Sequence, residues 1–502
     1  MKSEPHWKLV GKKPHHGIAI PLSSLHSKQS SGIGEFLDLI PLIDFCKKIH
    51  FDTIQLLPIN DTGNDQSPYN ALSSCALDPV YLSLSALPNA GALREELPSF
   101  QEFNLLTRVK ILEVKQKKTA WLYRYFQQTF PTLSSTKPYL DFVQKHSHWL
   151  EPYAQFKCLK AQHQGTHWKH WPKTEGVVLD TDFHYFLQFF CFDQMKRARA
   201  YASQNGCFLK GDIPILISPD SADVWSQQNL FRFDFVAGSP PDYYNRLGQK
   251  WGFPLCNWEA MRKDRFAWWR QRLATAGELY HLYRIDHVVG FFRIWAIPED
   301  KEPTQGHFIP QDPHLWESLG REILEMMLDA SPLLPIAEDL GTIPNEVPRV
   351  LKELGICGTK VIRWQRKWHD GKEFIPLQEY EPLSLTTIST PDSDTLQMWW
   401  ENTPEEAKLL AETKHWIYHP ILTQKERLSL LHDAHHSTSY FHINLLQEYL
   451  ALFPELIGNP EDERINTPGT ILPTNWTYRV RPSLEEMLAN DKLIHLMQGL
   501  TN

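Results

Sequence analysis

Short β-branched runs alternate with helix-spaced apolar patterns along most of the chain. GIAIPL from residue 17 and DTIQLLPI from residue 52 flank GEFLDLIPLIDFCKKIH, whose apolar positions recur at helical spacing, so the segment predicts a strand–helix–strand unit. Runs of the same kind follow in FLKGDIPILIS, HLYRIDHVVG, LLPIAEDLG, GTKVIRW, LSLTTIST and SYFHINLL, bringing the candidate strands to eight. PHLWESLGREILEMMLDA and NEVPRVLKELGI place amphipathic helices between several of them. Each parallel neighbour needs a crossover connection, so this alternation favours a mainly parallel sheet, and eight strands favour closure into an α/β (β/α)8 TIM barrel.

The spacing is uneven. Residues 60–206, between the second and third runs, are mostly helical in pattern and rich in aromatics, as in LLTRVKILEVKQKKTAWLYRYFQQTF. They are expected to form a mainly helical subdomain inserted into a single catalytic domain that spans 1–502. Residues 219–258 follow the third run and carry several Trp and Tyr side chains. They are expected to be an ordered loop insertion over an active-site cleft, because long loops in compact domains are usually functional.

At 502 residues the chain is long enough for two or three average domains, and also for one elaborated barrel. Hydrophobic residues at 42% and charged residues at 22% describe an ordinary globular chain. The net charge of -8, with basic residues dispersed, argues against a nucleic-acid or acidic-membrane partner and for a neutral one. The N-terminal MKSEPHWKLVGKKPHHG has no apolar signal core, and no apolar run is long enough to span a bilayer, so a cytoplasmic location is expected. Seven scattered cysteines without a Cys-x-x-Cys pair indicate reduced thiols rather than a disulfide framework or a zinc site. The 18 tryptophans lean towards carbohydrate, since indole rings stack on the apolar faces of sugars.

Active sites of such barrels lie at the C-terminal ends of the strands. Asp286 in YRIDHVVG, Glu338 in PIAEDLG and Asp392 in STPDSDT each stand where a strand-like run gives way to a turn. One acid there is ordinarily a cap or turn residue. Three on one rim fit retaining glycoside chemistry, in which two carboxyl groups about 5–5.5 Å apart act as nucleophile and acid/base. Arg284 shares a strand face with Asp286 and is expected to keep that carboxylate ionised, although a structural ion pair would look the same. Glu338 must begin protonated, and its neighbour Asp339 is a candidate for raising its pKa. His287 is a candidate donor to a sugar hydroxyl.

RIDHVVGFFRIWAIP and PIAEDLGTIP resemble the nucleophile and acid/base motifs of the amylomaltases, the α-glucan disproportionating 4-α-glucanotransferases of glycoside hydrolase family 77. GDIPILISPDSADVW, AGSPPDYYNRLGQKWG, SPYNALSSCALDPVYLSL, RINTPG and NWTYR are similar to further family segments, in family order, from about residue 17 to 480. The resemblance implies Asp286 as nucleophile, Glu338 as general acid/base and Asp392 as transition-state stabiliser, with Arg284 and His287 flanking the nucleophile. It implies Ser67 and Tyr69 on the donor side, Asp242, Tyr243, Gln249 and Trp251 on a loop over the cleft, and Asn466 in contact with sugar. It further implies a barrel with inserted subdomains, α-1,4-glucans and maltooligosaccharides as partners, no organic cofactor and no required metal; a monomer or weak homo-oligomer is expected.

The chain departs from the family pattern in several places. Pro391 stands where the family's His-Asp-Asn-Asp-Thr has histidine, removing a hydrogen-bond donor, and Ser393 and His369 are candidates for the space. Phe253 replaces an asparagine, Val288 a phenylalanine, and Gln66 is an extra residue before SPY. These changes bear on affinity, chain length and the balance of transfer against hydrolysis. An α-glucan hydrolase and a catalytically impaired glucan-binding protein are the competing readings.

Overall fold

A computed structural model describes residues 1–172, 179–241, 246–367 and 373–501. Its strands, in chain order, are β1 (His15–Ile20), β2 (Thr53–Leu56), β3 (Phe208–Pro214), β4 (Phe231–Ser239), β5 (Gln249–Cys256), β6 (Leu282–Asp286), β7 (Ile294–Pro298), β8 (His307–Ile309), β9 (Leu334–Ala337), β10 (Gly358–Val361), β11 (Ser384–Thr387) and β12 (Phe441–Leu445). Eight of them form a parallel sheet in the order β10-β11-β12-β1-β2-β3-β6-β9. The two ends meet: Ile336 bridges Cys357 in parallel, the Ala337 N–H donates to the Cys357 carbonyl (2.7 Å), and the Thr359 hydroxyl donates to the Ala337 carbonyl (2.8 Å). The sheet is therefore a (β/α)8 barrel, and its strands are the eight read from the sequence.

The barrel strands are buried on both faces because helices cover one side and the interior fills the other. The helix Leu39–Lys48 buries Leu39, Leu42, Ile43, Phe45 and Cys46, the apolar positions of its periodic pattern. The helix Glu346–Leu354 stops at Gly355, whose φ of 78° is left-handed, and the Gly355 and Ile356 N–H groups close a Schellman turn on Lys352 and Leu351. Register then places polar side chains inside. Gln55 pairs with Lys210 across β2 and β3, and Asp212 pairs with Arg284 across β3 and β6.

Two elaborations interrupt the barrel. Between β2 and β3 the chain is dominated by the helices Ile111–Leu133, Lys137–Gln162 and Asp182–Gln204. Their aromatics pack on one another, as in Trp149–Phe192 (5.5 Å) and Tyr125–Phe186 (5.6 Å), so many of the chain's aromatic rings serve packing. Lys118, wholly buried, fixes these helices by donating to Glu35 (2.6 Å) and to the Val80 and Leu82 carbonyls.

The other elaboration departs from the expected loop. Residues 219–258 contain β4 and β5, an antiparallel pair that joins β7 and β8 in a four-stranded sheet ordered β5-β4-β7-β8. FRFDF at the start of β4 alternates with strand period, a signal masked by its polar half. Gly238 lets the pair close, since a Cβ there would lie 2.0 Å from the Gln249 carbonyl oxygen.

Candidate active site

The site begins with the β3–β6 register. Arg284 divides its guanidinium between two aspartates: Nη1 donates to both Asp212 oxygens (2.8 and 2.9 Å) and Nη2 meets Asp286 Oδ1 at 2.7 Å. Tyr69 adds its hydroxyl to Asp212 (2.9 Å) and accepts from Arg284 Nη1 (3.3 Å). Side-chain exposure rises from 2% at Asp212 through 13% at Arg284 to 26% at Asp286, so Asp286 is the end presented to a ligand. Burial opposes the charge on Arg284, but Asp212 and Asp286 hold it protonated well above the usual range.

β6 ends in a sharp turn. His287 takes a left-handed φ of 53°, and its N–H donates to Glu338 Oε2 (2.7 Å). The Glu338 N–H donates to Ile285 (2.9 Å) and its carbonyl accepts from Val288 (3.1 Å), so the carboxyl group after β9 is anchored on both sides of Asp286. Burial raises the Glu338 pKa to about 8; Arg284 lowers it, and the Asp286 and Asp392 charges raise it further. Burial also pushes the Asp286 carboxyl above its usual range, with Arg284 pulling it back. The expectation that Arg284 keeps Asp286 ionised is met only in part: its guanidinium, shared with Asp212, favours the charged form, while burial opposes it and prevails. When one proton is shared between these two carboxyl groups it favours Glu338, which has a single backbone donor where Asp286 has a direct ion pair.

Asp392 comes from the turn after β11. Buried Glu448 clamps both ends of that turn, accepting from the Ser389 hydroxyl (2.6 Å) and the Leu396 N–H (2.9 Å). Asn466 Nδ2 donates to Asp392 Oδ1 (2.6 Å), while burial raises the Asp392 pKa and this bond lowers it. Asp394 pairs with Arg464 and supports the turn. Ser393 is used inside the turn, its hydroxyl accepting from the Thr390 N–H (2.9 Å) and donating to the Thr390 carbonyl (3.1 Å), so it does not replace the missing histidine. His369 lies outside the described residues.

Of the surrounding residues, Trp251 stands edge-on to His287 at 4.9 Å and donates its Nε1–H to Gln249 (3.0 Å), which brings the β4–β5 ribbon to the turn after Asp286. Burial keeps His287 neutral, with a pKa lowered to about 4. Ser67 is a turn residue whose hydroxyl accepts from the Tyr69 N–H (3.4 Å), and Tyr69 reaches the site itself and packs on Trp476 at 5.4 Å. Asp242 and Tyr243 lie outside the described residues. Asp339 accepts from the Thr359 N–H at 2.6 Å, and the charges that raise Glu338 are those of Asp286 and Asp392 in place of the expected Asp339. Asp212, Arg464 and Trp476 were not singled out by the sequence. Asp212 alone carried a local signal, a polar residue inside the strand run FLKGDIPI. Among the described residues no group of three or more His, Cys, Asp or Glu is arranged to hold a metal ion, and no helix is long and apolar enough to cross a membrane.

Comparisons with known proteins give the chain its family. The glycoside hydrolase 77 profile, described as 4-alpha-glucanotransferase, matches residues 20–485. A 4-alpha-glucanotransferase of Chlamydia pneumoniae is 46% identical over 502 residues, covering 97% of this chain and 95% of the relative. The fold is shared with an amylomaltase from Streptococcus agalactiae in complex with acarbose (TM-score 0.81, 24% identity, 98% and 99% of the two chains). It is shared equally with an amylomaltase from Corynebacterium glutamicum (TM-score 0.83, 21% identity, 99% and 76%). With its profile matched over nearly the whole length, the chain belongs to the glycoside hydrolase 77 family, the 4-alpha-glucanotransferases.

Proposed function

We propose that this protein transfers segments of α-1,4-glucan to the 4-hydroxyl of glucose or a maltooligosaccharide by a two-step retaining mechanism. Asp286 attacks the anomeric carbon while Glu338 gives its proton to the leaving glycosidic oxygen, producing a covalent glycosyl-enzyme and a shortened glucan. Glu338, now a carboxylate, takes the proton of the acceptor 4-hydroxyl as that oxygen displaces Asp286. Asp392 opposes the positive charge that builds on the sugar ring, and Arg284 steadies Asp286 as leaving group.

The observation that carries this reading is the division of labour between two partly buried carboxyl groups at neighbouring strand ends, where the His287 N–H next to Asp286 donates to Glu338. Asp286 is ion-paired at 2.7 Å, while Glu338 is held by a backbone N–H and raised to about 8, so it enters the reaction with its proton. Transfer further needs a sugar to outcompete water, a task that suits Trp251 and Gln249 on the ribbon beside His287. Incubation with maltotriose tests it. Glucose together with a ladder of longer oligosaccharides is expected; glucose and maltose without a ladder would mean hydrolysis, and no turnover would contradict both enzymatic readings.

A further inference from the structure

The Asp392 carboxylate depends on a distant loop. Among the described residues its side-chain hydrogen-bond donor is Asn466 Nδ2 (2.6 Å), on the loop between the Pro460–Glu463 turn and Trp476. Two residues away on both segments a second cross-link runs the same way, the ion pair of Asp394 with Arg464. The two links form antiparallel rungs, 392 to 466 and 394 to 464. Arg464 sets the spacing between them, because its Nε donates to the Asn466 backbone carbonyl (2.9 Å) while Nη1 holds Asp394. Arg363 secures the other rail by donating to the Asp394 carbonyl (2.7 Å). Asn466 is buried, whereas Arg464, Asp394 and Asp392 are partly exposed.

We propose that Arg464 and Asp394 are positioning residues for the transfer reaction, a clamp that fixes Asn466 and thereby the orientation of Asp392 towards the reacting sugar. The proposal rests on the reading of Asp392 as the residue that stabilises charge in the transition state. An unanchored Asn466 would leave the Asp392 carboxylate free to rotate, and a small misplacement there is felt in the chemical step more than in ground-state binding. Arg464 also bears on Asp392 through its charge, which favours the ionised carboxylate. Lysine restores the clamp only in part, since it keeps the charge that pairs with Asp394 but does not present two donors in the fork geometry that spans Asp394 and Asn466.

The test measures kcat and KM for maltotriose disproportionation in the full-length protein carrying Asp392→Asn, Arg464→Gln, Arg464→Lys or Asp394→Asn, with thermal melts to confirm folding. Asp392→Asn is expected to lose about 1,000-fold or more in kcat. Arg464→Gln and Asp394→Asn are expected to lose about 10- to 100-fold in kcat with KM within about twofold, and Arg464→Lys to recover part of that loss. A residue that merely stabilised the loop would lower the melting temperature and leave kcat of the folded enzyme unchanged. Near-normal kcat in Arg464→Gln and Asp394→Asn beside a crippled Asp392→Asn would overturn the clamp while leaving the role of Asp392 intact. So would a raised KM at normal kcat. Near-normal activity of Asp392→Asn would overturn the reading of Asp392 and the clamp with it. Should Arg464→Gln fail to fold, Arg464→Lys and Asp394→Asn decide the matter by the same criteria.

Discussion

Asp286 and Glu338 are both carboxyl groups sunk in one rim, and their partners separate them. An ion pair with Arg284 favours the charged form of Asp286, while burial and two nearby carboxylates favour the protonated form of Glu338. The proposed mechanism starts from protonated Glu338, so the transfer rate is expected to fall as pH rises through about 8. Beyond that point the fall should approach about tenfold per pH unit. A pH–rate profile on maltotriose checks this, and a rate still climbing at pH 9 would contradict it. The same group bears on stability. Its folded pKa of about 8 stands above the ordinary 4.5, so the stability it contributes is full below about 4.5 and is lost as pH rises through about 8. Glu338→Gln is therefore expected to melt higher than the wild type, the gap opening between pH 4.5 and 8 and reaching on the order of 1 kcal/mol in alkaline buffer. A gap that closed over that range would contradict the assignment.

At the scale of elements, the eight barrel strands were legible because each is a short, largely buried apolar run set off by turns or helical patterns. The positions of Asp286, Glu338 and Asp392 at strand ends were legible for the same reason. The four-stranded sheet was not, since FRFDFVAGS and QKWGFPLC mix polar and apolar residues, and β4 finds part of its pairing on β7, which follows another barrel strand. Asp212 left only a polar residue inside its strand run and Arg464 stood unremarked in RINTPG, because their importance comes from a cross-strand register and a loop crossing. Tyr69 and Asn466 were reached by resemblance alone, and both sit against the acids. The ribbon that carries Trp251 is the element most open to a test of product balance. Trp251→Ala removes the ring beside His287, so the ratio of hydrolysis to transfer is expected to rise roughly several-fold, read from reducing ends released against ladder formed. An unchanged ratio would show that water exclusion does not depend on this ring.

Across the whole molecule, the helices between β2 and β3 are tied to the barrel by a buried cation. Lys118 meets Glu35 at 2.6 Å with both side chains almost fully buried, and burial raises the Glu35 pKa to about 7. Lys118→Met strands that carboxyl group, and the unfolding free energy is expected to drop by about 3 kcal/mol or more at pH 8. The loss should shrink below pH 7, where Glu35 takes a proton, and Glu35→Gln added to Lys118→Met should recover part of it. Urea unfolding at the two pH values measures both effects, and a loss independent of pH would contradict the role given to Glu35.

The division of labour between Asp286 and Glu338 is tested most directly by intact-mass and peptide analysis of Glu338→Gln incubated with α-maltosyl fluoride. Fluoride leaves without needing a proton, so Asp286 can still be glycosylated, while the missing base stalls the second step. One maltosyl unit is expected on the peptide that carries Asp286. An adduct on another residue, or a substrate consumed with inversion and without an adduct, would contradict it.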